Sequence, residues 1–118
     1  MNLSDIVNEF VLEVKAGARH LDRTVTGGYV SDLLSDVLAH ADEGNVWVTL
    51  HIHENIVAVA SHKDLSGIVL VQGRQPEQRT VAKAEQENIP ILVTDLSAFE
   101  LVGRLYKAGV RGVKVCQG

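Results

Sequence analysis

Apolar residues in the first ten positions recur at helical spacing. Leu3, Ile6, Val7 and Phe10 share one side of "LSDIVNEF", with Asn2 placed to cap it. The period then changes. "VLEVKAG" sets apolar Val11 and Leu12 beside charged Glu13 and Lys15 and predicts a short first strand that stops at Gly17. "RTVTGGYV" favours β structure through Val25, Thr26, Tyr29 and Val30, interrupted by two glycines. A helix is predicted next, capped by Ser31 with Asp32 in its first turn. Its apolar stripe is Leu33, Leu34, Val37, Leu38 and Ala41, and Gly44 ends it.

Residues 46–52 ("VWVTLHI") read as a strand, and "NIVAVASHK" as a buried helix, since parallel neighbours need a crossover of about a dozen residues. "GIVLVQG" and "IPILVTD" are continuous apolar runs, the look of strands covered on both faces. Between them "PEQRTVAKAEQEN" starts a helix at Pro76 and turns Val81, Ala82 and Ala84 inward. Ser97 and Glu100 form a capping-box pattern for the last helix, whose stripe is Ala98, Leu101, Val102, Leu105 and Ala108. Arg104 and Lys107 suit its C-terminal end and Gly109 closes it. The tail "RGVKVCQG" either adds a short strand or hangs free. Alternating strands and helices predict an α/β fold, a three-layer α/β/α sandwich with a mostly parallel sheet of about five strands. No repeat or linker divides residues 1–118, so one domain is expected.

Composition narrows the function classes. Aromatic residues are only 4%, so the core must be built from Val, Leu, Ile and Ala. A net charge of −4 counts against nucleic acid, which wants a basic face. No run reaches the ~20 apolar residues of a membrane span and no secretion signal is evident, so no membrane partner and a cytoplasmic location are expected. The single cysteine, Cys116, excludes an internal disulfide and leaves too few thiolates for an iron–sulfur cluster or zinc ribbon.

Asp22, Arg23, Thr26, Gly27 and Gly28 reproduce the pattern D-R-x-x-T-G-G. With "GGYVSDLLSDVLAHA", "WVTLHIHENIVAVASHKDLSGIVLVQGRQP" and "SAFELVGRLYKAGV", this chain resembles a stand-alone member of the DRTGG family over nearly its whole length. The resemblance implies a fold laid out like the N-terminal domain of HPr kinase/phosphatase. It implies a regulatory, dimerising role, with adenine nucleotides as ligands and no defined catalytic residues. Elsewhere the domain is fused to catalytic modules, as in CBS-containing pyrophosphatases and some phosphotransacetylases. Stand-alone copies are often encoded near iron-only hydrogenase genes.

The residues themselves leave two readings of Gly27 and Gly28 open. They could cradle a phosphate at a helix N-terminus, or they could let the backbone pass close to a neighbour. Asp32 and Asp36 would repel a phosphate there, and no P-loop Lys-Ser/Thr pair follows. Arg23 either pairs an anion or fixes a turn with Asp22. In a parallel sheet, ligands collect beyond the carboxyl ends of the strands, where Thr26 to Gly28, His51 to Glu54, Gly73–Arg74 and Thr94–Asp95 are expected. The candidate ligand-binding residues are therefore Arg23, Thr26, Gly27, Gly28, Arg74 and Thr94.

His51 and His53, with His62 nearby, could gather three imidazoles on a metal, but H-x-H arises often by chance and cap or surface roles are favoured. No metal site is expected. Ser31 and Ser97 are caps, and no G-x-S-x-G elbow supports a nucleophile. Cys116, with Lys114 close by, reads as a tail thiol rather than a reactive one. No catalytic residue and no cofactor is assigned. The expectation is a non-enzymatic homodimeric module that binds a small anion such as an adenine nucleotide. The alternative is an interaction or assembly factor beside an iron-only hydrogenase or other redox system, with no small ligand. "IVAVA" either faces a partner or lies within the monomer.

Overall fold

The computed structural model describes residues 1–114. The Asn2 side chain accepts the Asp5 N–H while the Asp5 carboxylate accepts the Asn2 N–H, each at 2.9 Å, a reciprocal capping box. It starts α1 (Leu3–Phe10). There follow β1 (Glu13–Ala16), β2 (Gly27–Val30), α2 (Leu34–His40), β3 (Asn45–Thr49) and α3 (Asn55–His62). The chain continues through β4 (Gly67–Leu70), α4 (Gln78–Glu87), β5 (Ile91–Val93) and α5 (Ala98–Lys107).

The sheet order is β1-β5-β4-β3-β2. The last four strands are mutually parallel, and β1 runs antiparallel on the edge beside β5. Each crossover from β2 to β5 steps the same way, so α2, α3 and α4 fall on one face. There Val37, Ile56, Ala60 and Ala84 meet Trp47, Ile68 and Ile91. Helices α1 and α5 cover the other face, where Leu3, Ile6, Leu101 and Leu105 meet Val46, Val69 and Leu92. The three-layer α/β/α sandwich with a five-stranded, mostly parallel sheet is as the apolar runs predict. No helix among the described residues is long and apolar enough to cross a membrane.

Local departures have identifiable causes. Helix α2 begins three residues past the expected cap, at Leu34. The Asp32 carboxylate, expected in its first turn, instead accepts Thr49 Oγ1–H at 2.7 Å and the Leu50 N–H at 2.8 Å. Those bonds hold residues 31–33 across the end of β3, and Ser31 Oγ accepts the Leu33 N–H within the connector rather than a helix N–H. They also stop β3 at Thr49, short of residue 52. The α2 stripe is only half used: Val37 and Ala41 are buried, Leu33 and Leu38 exposed. In α4, Ala82 faces solvent, and buried Thr80 takes the inward position by donating to the Ile52 carbonyl at 2.6 Å. Ser97 Oγ accepts the Glu100 N–H at 3.2 Å, but the Glu100 carboxylate turns to Arg104, so only half of that box forms.

The "IVAVA" stretch is internal. Helix α3 is wedged between α2 and α4, and Ile56, Val57, Val59 and Ala60 are all buried. The tail reaches the sheet edge: Gly112 makes a parallel bridge to Gly28. Cys116 lies outside the described residues.

Candidate functional site

The parallel strands give the sheet two distinct ends, and the candidate residues divide between them. Gly27 pairs with Asn45, the first residue of β3, so Arg23, Thr26 and Gly27 sit at the amino ends of the strands. The expectation that Thr26 to Gly28 lie beyond the carboxyl ends is corrected. The strand starts at Gly27 rather than ending there, because its register is set by pairing with β3. Arg74 and Thr94 follow β4 and β5 and lie at the opposite, carboxyl end. The six residues do not converge.

At the amino end the motif is tied inward. Thr26 Oγ1 donates to the Glu43 carbonyl at 2.7 Å and accepts from Asn45 Nδ2 at 3.2 Å, and its N–H bonds to the Gly44 carbonyl. A Cβ on Gly27 would stand 2.8 Å from the Arg111 carbonyl oxygen, so a side chain there would push the tail off the edge strand. That same carbonyl accepts the Gly28 N–H at 2.9 Å. The glycine pair thus lets the chain's own C-terminal segment approach β2. Arg23 donates through Nη1 to the Leu65 carbonyl at 3.4 Å.

At the carboxyl end, β4 sends its helix to one face and β5 to the other, which makes the crevice between them the switch point of the fold. Both connecting loops close over it. The Gln72 N–H bonds to the Leu96 carbonyl and the Gly73 N–H to the Thr94 carbonyl, each at 2.8 Å. Thr94 is buried, and its Oγ1 accepts the Leu96 N–H at 3.2 Å. Beside this seam, exposed Arg74 shares a 270 Å³ hollow with Asp32, Leu50, His51, Ile52 and His53.

The histidines do not share a strand face, because β3 ends before them. His53 Nδ1 accepts the Asn55 N–H, at the first residue of α3, at 3.2 Å. His62 ends the same helix, about 10 Å along its axis from Asn55 at about 1.5 Å per residue. Among the described residues no cluster of three or more His, Cys, Asp or Glu is arranged to hold a metal ion.

One linked set of titratable groups stands out, Tyr29–Asp36–His40. Tyr29 Oη donates to Asp36 at 2.8 Å, and His40 Nδ1 lies 3.0 Å from the other carboxylate oxygen. Partial burial and this hydrogen bond push Tyr29 from 10.0 up to about 12. The tyrosine hydroxyl, with Ser31 and His40, holds Asp36 below its ordinary value. Acid and carboxylate are driven apart, so neither is poised to exchange a proton near neutral pH. The sign for stability follows. Tyr29 binds its proton more tightly when folded, so its contribution is complete below pH 10 and is lost as pH rises toward 12. Tyr29→Phe is expected to flatten that alkaline loss, as urea unfolding at pH 9 and 11.5 would measure.

Sequence reasoning missed an apolar face. Phe99 is 89% exposed, Tyr106 56% and Val30 49%. With Ala98, Val102 and Gly103 they line a shallow groove of 660 Å³ across α5 and the edge of β2. Arg111 stacks over the Tyr106 ring at 4.0 Å. The signal was present: Phe99, Gly103 and Tyr106 form a second stripe at helical spacing on α5, bordered by Val102 of the core stripe. Gly103 costs the helix about 1 kcal/mol relative to alanine. No atom of the described chain comes within 4 Å of where its Cβ would be, so nothing among the described residues requires it.

With the geometry in place, comparison supplies the family. No curated protein matches the chain. Among solved structures it is similar to the CBS and DRTGG domains of the regulatory region of Clostridium perfringens pyrophosphatase, complexed with the activator diadenosine tetraphosphate. The two share 15% identity and a TM-score of 0.68, over 86% of this chain and 44% of that one. The chain spans less than half of that structure, and at this identity the likeness bears on the fold. The DRTGG domain model matches residues 5–108, from α1 through α5 and across both sheet ends, and the chain belongs to the DRTGG domain family.

Proposed function

We infer that this chain is a non-catalytic regulatory module that works as a homodimer and binds a small anionic ligand such as an adenine nucleotide. The observation that carries this reading is the apolar face of α5 and β2. A Phe that is 89% exposed, above a helix glycine with open space, is the composition of a contact surface. The pyrophosphatase relative supports the ligand class, since its regulatory region is complexed with a dinucleotide polyphosphate. Arg74 is the anchor for phosphate in this reading, with Thr94 alongside. Arg23, Thr26, Gly27 and Gly28 lie at the other end of the sheet, where Arg23 and Thr26 bond to the Leu65 and Glu43 carbonyls and the two glycines admit Arg111.

Light scattering at tens of micromolar is expected to return a dimer mass. ATP, ADP or AMP is expected to raise the melting temperature, and Arg74→Ala to abolish that rise. A second reading, an interaction or assembly factor for an iron-only hydrogenase or other redox system, draws support from the sealed switch-point crevice. A dimer that no nucleotide stabilises at millimolar concentration, and that captures a redox partner, would favour it.

A further inference from the structure

The chain beyond α5 joins the two sides of the apolar face. It leaves the helix through Gly109, whose φ is +110°, and Gly112 bridges Gly28 in parallel at the outer edge of β2. Few bonds among the described residues hold it there. The Val110 N–H reaches back to the Leu105 carbonyl at 3.0 Å, and the Arg111 carbonyl accepts the Gly28 N–H at 2.9 Å. A Cβ on Gly27 would meet that carbonyl oxygen at 2.8 Å, and one on Gly28 would meet Val110 Cγ1 at 3.4 Å. The glycine pair is the track on which the segment lies. Arg111, Gly112 and Lys114 are exposed, and a segment attached this lightly opens at less cost than the core.

The residue that meets β2 also grips α5. The Arg111 guanidinium stacks over the Tyr106 ring at 4.0 Å, and its Nη1 donates to the Tyr106 carbonyl at 2.6 Å. A planar cation held by both contacts restricts the ring beside it. Tyr106 is also where two apolar spaces meet. One is the groove with Phe99 and Gly103; the other is a 340 Å³ hollow walled by Val48, Leu105, Val110 and Val113. Val30, two residues past Gly28, lines both spaces as Tyr106 does.

We propose that residues 110–114 are a latch between the glycine pair and the α5 face. Seated on Gly27 and Gly28, the segment sets the Arg111 clamp and fixes Tyr106 in the position in which it lines the groove. Lifted, it frees the Tyr106 side chain and opens the hollow into the groove. A ring fixed beforehand loses less entropy on contact, so a second copy of the chain binds the seated form more tightly. That last step rests on the homodimer reading; the link from Gly28 to Tyr106 does not. Coupling is reciprocal, so a second copy on α5 must in turn hold the segment down.

The Gly28 amide reports the seat, and hydrogen exchange measured by NMR follows it. Arg111→Ala removes the clamp on α5 and leaves the carbonyl that Gly28 uses, so the variant acts from the helix side. Its Gly28 exchange is expected to accelerate about tenfold, with self-association weakened about tenfold. Arg111 is exposed, so urea unfolding of that variant should match the wild type. Gly27→Ala acts from the strand side: it should speed Gly28 exchange and shift the Tyr106 ring resonances although Arg111 is intact. Raising the wild-type concentration should slow Gly28 exchange, and Phe99→Glu should abolish that dependence while keeping the dilute rate. A wild type that stays monomeric would remove the homodimer reading and leave the latch to be judged on Gly28 and Tyr106 alone. Wild-type Gly28 exchange in Arg111→Ala would overturn the latch, whether or not Gly27→Ala folds. So would fast Gly28 exchange in Gly27→Ala with unmoved Tyr106 resonances, since the segment would then lift without reaching the face.

Discussion

Trp47→Ala is expected to remove about 3–5 kcal/mol of folding stability, the cost typical of emptying an aromatic-sized space in a core. Trp47 lies inside the sheet on β3, is 0% exposed and packs beneath α2 and α3. Two losses combine. The ring leaves a cavity that rigid neighbours fill only in part, and the indole N–H no longer donates to the Ser31 carbonyl at 2.9 Å. That carbonyl belongs to the connector that Asp32 fastens to β3, so the start of α2 should loosen as well. Against a typical stability of about 5–15 kcal/mol, this variant should be near its folding limit at 37 °C. Trp47→Phe keeps most of the apolar contact and should cost about half as much. Urea unfolding followed by far-UV circular dichroism measures both. In the wild type the fluorescence of Trp47, the only tryptophan, reports the same transition. A loss below about 1 kcal/mol for Trp47→Ala would mean the sheet and α2 collapse onto the space.

The layers were legible because parallel strands covered on both faces leave a mark that local propensity cannot hide. Val46 to Val48, Ile68 to Val71 and Ile91 to Val93 are uninterrupted apolar runs, and each sends alternate residues into opposite cores. Helix α3 is apolar nearly all round for a related reason: it is the middle of three helices, with neighbours on both flanks. What could not be read depends on bonds between residues far apart in sequence. Asp32 looks like a first-turn acid until Thr49 and Leu50 claim its carboxylate. "RTVTGGYV" looks like one strand around two glycines, but β2 begins only where Asn45 and Arg111 pair with it. That one boundary moves Arg23, Thr26, Gly27 and Gly28 to the end of the sheet opposite Arg74. The second stripe of α5 was visible as spacing. It became informative only when α1 and the core stripe of α5 were seen to fill their layer without it.

That stripe carries the other large effect. Phe99→Glu is expected to weaken self-association by a factor of about 10²–10³, since central aromatic anchors are often worth 2–4 kcal/mol and the new carboxylate would be desolvated. Because Phe99 makes little internal contact, the monomer should unfold as before. Gly103 gives the sharper version of the experiment. Alanine there is favoured in a helix by about 1 kcal/mol and meets no atom of its own described chain, so Gly103→Ala should stabilise the isolated fold. If α5 of one protomer lies against α5 of the other, antiparallel about a two-fold axis, the added methyl falls where the backbones approach. Dimerisation then weakens as the monomer gains stability. The charges suit that arrangement: Glu100 opens the helix and Arg104 and Lys107 close it, so antiparallel copies set acidic ends beside basic ones. Opposite signs in the two measurements, unfolding and sedimentation across a concentration series, are what no purely structural role for Gly103 produces. Unchanged sedimentation in both Phe99→Glu and Gly103→Ala would remove α5 from the interface.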